Sequence, residues 1–212
     1  MNLDELSKDL ASALIVVDQQ YDFEPGGALA VPRGDEIVEP IADLMMRFSN
    51  VIVTQDFHPA GHISFASSYA GKQPFEHLRL DEVERGRVRS SFSPDVLSHY
   101  LRRTPNHEQI LWPDHCVQGS RGAEINQRLP LQRAQLIIRK GTRRDCDSYS
   151  TFFENDGTST GLAGFLRDRQ ITRLVIVGLA GDYCVAWSSR DARSLGFEVW
   201  APEEFTRNVG VS

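Results

Sequence analysis

The most constraining feature of the chain is a run of five apolar residues, ALIVV at positions 13–17, which ends at Asp18. A strand that is apolar on both faces must be covered on both faces, which is typical of a parallel sheet between two layers of helices. A second run, LVIV at positions 174–177, has the same character. Both runs are far shorter than the ~20 apolar residues of a membrane-spanning helix, so we expect no membrane segment.

Strand-like and helix-like segments alternate along much of the remaining chain. Further strand patterns lie at residues 51–54, 136–138 and 197–200, and helical patterns lie at 35–48, 161–169 and 182–195. Asp182 is a favourable N-cap for the last helix, which Gly196 would end. This alternation predicts an α/β protein, a three-layer α/β/α sandwich with a mainly parallel sheet of five or six strands.

Residues 61–109 lack this regular pattern. Ser, Pro, Arg and His are scattered through the segment, and only residues 94–102 show a helical pattern. We interpret the segment as a long surface excursion with too few apolar residues for a core of its own. The chain of 212 residues is therefore expected to form a single domain, residues 1–212.

Charge and cysteine content narrow the range of functions. With 23 basic and 29 acidic residues, the formal net charge is −6. This balance argues against nucleic acid as a partner, because phosphate binding needs a surplus of Lys and Arg. The first ten residues hold three acids and no apolar run, so no secretory signal is predicted. Three cysteines cannot all pair within one chain, which favours a reducing, cytoplasmic location.

Reactive side chains follow the predicted strands at the ends where parallel sheets bind ligands. In strand order these side chains are Asp18, then Asp56 with His58, then Lys140, and finally Cys184 beyond a short turn. Because the carboxyl ends of parallel strands share one edge of a sheet, we expect the five side chains to meet there. The sequence therefore predicts a site for a small molecule at this edge.

Cys184 lies just inside the helix that Asp182 would begin. Free backbone N–H groups and the helix dipole at such a position favour the nucleophilic thiolate and can also receive an oxyanion. Taken singly, Cys184 could be a small buried hydrophobe, and Asp18 with Lys140 could be an ion pair without chemistry. Taken together they fit covalent catalysis, in which Asp18 accepts the thiol proton and Lys140 stabilises negative charge.

One carboxylate and three imidazoles form a second set of functional side chains. Asp56, His58 and His62 lie within seven residues of one another, and His115 follows in the motif WPDH. These donors suit zinc or another divalent transition ion, iron and manganese included. Either loop histidine, His58 or His62, could instead be an ordinary hydrogen-bonded side chain.

Six short motifs carry a resemblance to one known family. In chain order they are VDQQYDF (17–23), TQDFHP with GH (54–62), WPDHCVQG (112–119), RKG (139–141), DSYS (147–150) and VGLAGDYCV (177–185). This ordered set, over residues 13–209, resembles the nicotinamidase/pyrazinamidase branch of the isochorismatase-like cysteine hydrolases. One departure is Gly181, which stands where relatives often carry Thr or Ser. Relatives also usually continue beyond the position of Val209 with another helix and an edge strand.

The resemblance implies an activity and a set of residues for it. The activity is hydrolysis of nicotinamide to nicotinate and ammonia through a thioester, with pyrazinamide as a further substrate and a role in NAD salvage. The implied catalytic triad is Asp18, Lys140 and Cys184. The implied metal, zinc or else iron or manganese, is surrounded by Asp56, His58, His62 and His115.

The resemblance also implies details of the substrate pocket. The peptide bond between Leu179 and Ala180 is expected to be cis, and the N–H groups of Ala180 and Cys184 are expected to form the oxyanion hole. The aromatic walls around the pyridine ring are expected to be Phe23, Trp112 and Tyr149. From the residues alone, each aromatic side chain could equally belong to the core.

Other functions fit the same fold. A ureido or carbamoyl amidohydrolase, or a vinyl ether hydrolase of the isochorismatase type, would act on a different substrate. Vinyl ether hydrolases of this type need no cysteine nucleophile, and the metal-free amidohydrolases need no Asp/His set. A non-catalytic metal-binding relative is a further alternative, and the sequence leaves homo-oligomer formation open.

Overall fold

The structure is a computed structural model that describes residues 2–210. Residues 1, 211 and 212 of the expected domain lie outside the described residues. The helices are α1 (Leu3–Lys8), α2 (Val38–Arg47), α3 (Leu80–Glu84), α4 (Pro94–Leu101), α5 (Leu162–Asp168) and α6 (Ala186–Ser194). The strands are β1 (Ser12–Val17), β2 (Val51–Asp56), β3 (His77–Arg79), β4 (Glu108–Ile110), β5 (Leu136–Lys140), β6 (Arg173–Leu179), β7 (Glu198–Trp200) and β8 (Thr206–Arg207).

Six strands form the central sheet, in the order β5-β2-β1-β6-β7, and the short β8 pairs with the end of β6. All pairings in this sheet are parallel. In the centre, Leu14 of β1 lies opposite both Val51 of β2 and Val175 of β6. The predicted parallel sheet is therefore confirmed. Among residues 2–210, no helix combines the length and apolar character needed to cross a membrane.

The central strand β1 contributes to a core on each face of the sheet. Leu14 and Val16 pack with α2 on one face, whereas Ala13, Ile15 and Val17 pack with α5 and α6 on the other. All six residues of β1 are buried. Because full burial of one large aliphatic side chain contributes about 1.5–3 kcal/mol, these two cores hold the strand firmly. The three-layer prediction is confirmed, and β1 delivers Asp18 to a rigid edge.

The expectation that residues 61–109 lack a core of their own was wrong. The segment contains α3, α4 and the antiparallel pair β3–β4. Its apolar side chains form a third buried cluster, which consists of Ile63, Ala66, Tyr69, Leu78, Val83, Leu97, Tyr100, Leu101, Leu111 and Cys146. Leu97, Tyr100 and Leu101 belong to the predicted helical pattern at 94–102, but the other members of the cluster are scattered singly along the chain, so no periodic pattern revealed them. We still infer a single domain, because Cys146 belongs to the loop after β5 yet packs into this cluster.

The expected role of Asp182 as a helix N-cap was also wrong. Residues Gly181–Val185 form a turn of π-helix, and the regular helix α6 begins only at Ala186. The Asp182 carboxylate instead accepts hydrogen bonds from the backbone N–H groups of Val209, at 3.0 Å, and Gly210, at 2.9 Å. It therefore fastens the C-terminal segment onto the turn that carries Cys184.

Candidate active site

Strand register brings the predicted reactive groups to one edge of the sheet. Asp56 and Lys140 are the last residues of β2 and β5 and lie opposite each other in the parallel pairing. Asp18 follows β1, and Cys184 lies in the turn after β6. Since these four strands are neighbours in the sheet, their ends form one short row.

The Lys140 ammonium is the centre of this row. Its Nζ lies 2.8 Å from Asp18 Oδ2, 2.7 Å from Asp56 Oδ1 and 3.5 Å from Cys184 Sγ. It also donates a hydrogen bond to the Ser148 carbonyl at 3.1 Å. Lys140 and Asp18 are 0% exposed and Cys184 is 7% exposed. The three side chains of the predicted triad therefore converge, in a space that excludes bulk water.

Burial decides the protonation states of these groups. It raises the pKa of the Cys184 thiol well above its usual range, and it raises the pKa of Asp18. Burial opposes the charge on Lys140, but Asp18 and Asp56 outweigh it and hold the pKa of Lys140 well above its usual range. Burial therefore favours a neutral thiol before the reaction, beside a carboxylate with enhanced basicity. This agrees with the predicted role of Asp18 as the group that accepts the thiol proton.

Two histidine rings point a nitrogen at the same carboxylate. His58 Nε2 and His115 Nε2 lie 3.5 Å and 3.7 Å from Asp56 Oδ2. The other ring nitrogens, the two Nδ1 atoms, lie 2.9 Å from the Gly141 carbonyl and 2.8 Å from the Pro113 carbonyl. Because a carbonyl can only accept, each Nδ1 carries a hydrogen, and in the neutral ring each Nε2 keeps a free lone pair. This is the arrangement in which histidines bind a divalent metal.

His62 is engaged differently from the other two histidines. Its ring lies 4.1 Å from the ring of His58, but Nε2 lies 3.0 Å from the Cys146 carbonyl and Nδ1 lies 2.8 Å from Ser64 Oγ. Burial lowers the pKa of His62 to about 3, so the ring is neutral. Both of its nitrogens are therefore occupied by protein partners. The structure brings Asp56, His58 and His115 together as one group of candidate donors, and it places His62 in a second group with His58 and Asp147.

Two residues fix the backbone around these donors. Gly141 has φ of +60°, and a Cβ there would lie 2.3 Å from His58 Cε1, so only glycine allows the close approach. The Gln20 side chain accepts from the Asp56 N–H and donates to the Asp56 carbonyl, both at 2.8 Å. The same Gln20 amide also donates to the Ala123 carbonyl at 2.9 Å.

A narrow pocket opens above the reactive groups. Its polar base is formed by Asp56, His115, Asp147, Ala180 and Cys184. Its apolar and aromatic walls are formed by Phe23, Leu29, Val31, Trp112, Tyr149, Tyr183 and Val209. All three predicted aromatic residues line it. The peptide bond between Leu179 and Ala180 is cis, as expected. Apolar walls over a few convergent polar groups suit a small flat molecule with one reactive substituent.

Five pocket residues were missed from the sequence, namely Leu29, Val31, Asp147, Tyr183 and Val209. Asp147 follows β5 at the same edge, with Oδ1 4.0 Å from His58 Nε2, and its position after a strand could have identified it. Tyr183, whose ring centroid lies 4.9 Å from that of Trp112, is the direct neighbour of Cys184. Val209 lies at the pocket because the Asp182 contact and apolar packing hold the C-terminal segment there, and the sequence has no signal for that contact.

Comparison with known proteins identifies the class that this fold and site define. The isochorismatase-domain family model matches residues 12–208. The chain therefore belongs to the isochorismatase family.

Within this family, the chain is similar to nicotinamidases. It is 48% identical to the nicotinamidase of Acinetobacter baylyi over 185 residues, which cover 87% of this chain and 75% of that protein. It superposes on a nicotinamidase/pyrazinamidase structure from Acinetobacter baumannii with a TM-score of 0.80 and 42% identity, covering 95% of this chain and 86% of the other. A pyrazinamidase of Pyrococcus horikoshii in complex with zinc matches with a TM-score of 0.66 and 34% identity, over 94% and 87% of the two chains.

Proposed function

We propose that this protein hydrolyses nicotinamide to nicotinate and ammonia and thereby contributes to NAD salvage. We expect it to hydrolyse pyrazinamide as well. The observation that carries the proposal is the placement of a thiol and a group of metal donors at one aromatic-walled pocket. Cys184, Asp56 and His115 line the pocket, and the Nε2 atoms of His58 and His115 both face the Asp56 carboxylate. Asp56, His58 and His115 together form the histidine end of the site. The similarity to nicotinamidases supports the same substrate.

The residues at the histidine end fit a divalent cation. Asp56, His58 and His115 would hold it, because their free oxygen and nitrogen lone pairs face one another within 4.8 Å. When bound, the cation would act as a Lewis acid toward the ring nitrogen of the substrate and fix the direction of the carboxamide. Zinc is the first candidate, supported by the zinc complex of the Pyrococcus relative, with iron or manganese as alternatives. His62 would orient His58 through the contact between their two rings.

In the first half of the reaction, Asp18 takes the thiol proton of Cys184, and Sγ bonds to the carboxamide carbon. The carbonyl oxygen becomes an oxyanion, which the N–H groups of Ala180 and Cys184 receive. One such donor typically contributes ~2.7–4 kcal/mol to transition-state stabilisation. As the C–N bond breaks, Asp18 returns the proton to the amine. Ammonia leaves, and a nicotinoyl thioester remains on Cys184.

In the second half, Asp18 takes a proton from water as its oxygen attacks the thioester carbon. The C–S bond then breaks, the Asp18 proton restores the thiol, and nicotinic acid is released, which gives up its remaining proton to water or ammonia to become nicotinate. Lys140 keeps its positive charge throughout, and this charge stabilises Asp18 whenever the Asp18 carboxyl is ionised. The raised pKa of Asp18, caused by burial, suits a group that must both accept and donate a proton.

The aromatic walls would hold the ring during both steps. Phe23, Trp112 and Tyr149 offer apolar surface that matches a flat heterocycle by stacking and edge contacts. We also propose a cytoplasmic location, on the basis that Cys116, Cys146 and Cys184 are all buried and unpaired.

A substrate comparison with metal analysis on the same preparation tests the proposal. We expect ammonia release from nicotinamide and pyrazinamide, with kcat/KM at least ~100-fold above that for a ureido compound of similar size. We also expect about one bound transition metal per chain. Preference for the ureido compound would favour the carbamoyl amidohydrolase alternative. Metal binding without any ammonia release would favour the non-catalytic alternative.

A further inference from the structure

Gln109 is a buried amide that the reaction outlined above does not use. It lies in β4, within the 61–109 segment, and is 2% exposed. Its Nε2 faces three acceptors, Tyr149 Oη at 2.8 Å, Asp147 Oδ2 at 3.3 Å and the carbonyl of Ile110 at 2.6 Å, among which its two hydrogens are shared. Its Oε1 accepts the hydroxyl of Tyr100. The side chain thus connects the core of the segment to the pocket.

The orientation of this amide is fixed at both ends. A carboxylate such as Asp147 can only accept, so the group that faces it must be the NH2 of Gln109. Tyr100, in turn, donates its hydroxyl to Oε1 while its oxygen accepts from Asn155 Nδ2 at 3.2 Å. Gln109 therefore offers a preset donor to the Tyr149 hydroxyl.

Tyr149 receives two donors on one oxygen. The second is Trp112 Nε1, at 3.3 Å from the same hydroxyl. Because Trp112 and Tyr149 both line the pocket, these hydrogen bonds set the position of one aromatic wall. A tyrosine ring with its hydroxyl held this way has little freedom to rotate or swing.

We propose that Gln109 is a positioning residue for substrate binding, which holds the Tyr149 ring at the distance that a pyridine ring requires. This inference rests on the proposed function. It also assigns a function to the 61–109 segment. Tyr100, in the buried cluster of that segment, fixes the orientation of Gln109, and Gln109 in turn contacts Tyr149 in the pocket wall. Gln109 lies among neither the reacting groups nor the metal donors, so it acts on binding rather than on chemistry.

Kinetics of shape-conserving variants of the full chain test the inference. We expect Gln109→Met to raise KM for nicotinamide about tenfold, the usual consequence of losing one buried hydrogen bond, with kcat within about threefold of wild type. Tyr149→Phe should have a similar effect. Because both variants remove the Gln109–Tyr149 hydrogen bond, the double variant should raise KM by clearly less than the roughly hundredfold of two independent effects.

The outcomes are distinguishable. A purely structural role would lower the melting temperature and kcat while leaving KM unchanged, and would overturn the inference. Fully multiplicative effects in the double variant would overturn it as well. An active wild type whose KM is insensitive to Gln109→Met would overturn this inference alone. A wild type that releases no ammonia from nicotinamide would overturn the proposed function and this inference with it.

Discussion

The reactive edge and the walls of the pocket are built in different ways. The reactive groups sit at the ends of four neighbouring strands, whose positions follow from hydrogen-bonded register. The walls come from segments far apart in the chain, including residues near 23, 112, 149 and 209. The sheet therefore positions the reacting groups, while the loops determine which substrate can bind beside them.

The two regions also differ in what holds them together. At the edge, one ammonium and two carboxylates are buried with separations of 2.7–2.8 Å. Removing one member leaves an unpaired buried charge, which typically costs 3–5 kcal/mol, on the order of a third of a domain's stability. The walls rely on apolar contacts and neutral hydrogen bonds of roughly 1 kcal/mol each. Changes at the edge should therefore be the more severe.

The largest effect is expected for Cys184→Ala. Loss of the nucleophile should lower kcat for nicotinamide by at least ~10⁴-fold, because no neighbouring group can form the covalent intermediate. Metal content should be unchanged, since Sγ is not among the three proposed ligands. Ammonia assays with metal analysis check both points. Cys146→Ala, another buried cysteine, is the matched control, and residual turnover in Cys184→Ala near the control's level would refute the assignment.

Lys140→Met is expected to have the largest effect on stability. Without the ammonium, Asp18 and Asp56 face each other in a buried space, and we expect a loss of about 3–5 kcal/mol in the free energy of unfolding. In wild type, burial would raise the pKa of Asp56, but Lys140 and His58 hold it well below its usual range. The stabilisation that ionised Asp56 provides is therefore fully present above the pKa that Asp56 has in the unfolded chain. It is lost as pH falls through the pKa of Asp56 in the folded protein.

The variant should show the opposite trend. Two facing carboxylates have raised pKa values, so its deficit should grow as pH rises from about 4 to 8. Urea denaturation at several pH values measures this. A deficit that is the same at every pH would show that packing, and not charge, causes the loss.

The three histidines provide a sharper comparison within the edge itself. His58→Ala removes a proposed ligand and should weaken zinc binding by more than ~100-fold. His62→Ala removes only a neighbour whose nitrogens already bind protein groups, and second-shell changes typically weaken binding by ~10–100-fold. Competition with a chelator measures both affinities. Equal losses in the two variants would mean that His62 turns toward the metal when it binds.

The smallest effect is expected in the wall, for Asp182→Ala. This change releases the N–H groups of Val209 and Gly210 and should loosen the wall that Val209 forms. We expect KM for nicotinamide to rise about three- to tenfold, with kcat nearly unchanged, consistent with the loss of one or two hydrogen bonds at a partly exposed site. Steady-state kinetics check the prediction. The exposed Asp168→Ala is the control, and a lower kcat with normal KM would place the effect on Cys184 instead.

The reactive edge was predictable because it depends on local sequence. Each strand is a short apolar run, and the residue at its end, such as Asp18 or Lys140, must lie at the edge. Contacts between remote side chains were not predictable. The Asp182 contact and the buried position of Gln109 depend on how separate segments pack, which no pattern along the chain records. The burial that raises the pKa of the Cys184 thiol likewise depends on tertiary packing and leaves no signal in the sequence.

The shared position of Lys140 links the two chemistries of the site in evolution as well as in space. Asp56 opposes ionisation of Asp18, whereas Lys140 favours it. A relative without Asp56 would leave the whole ammonium to Asp18, and Asp18 would become a poorer base. Such a relative would need a compensating change near the nucleophile to keep its activity.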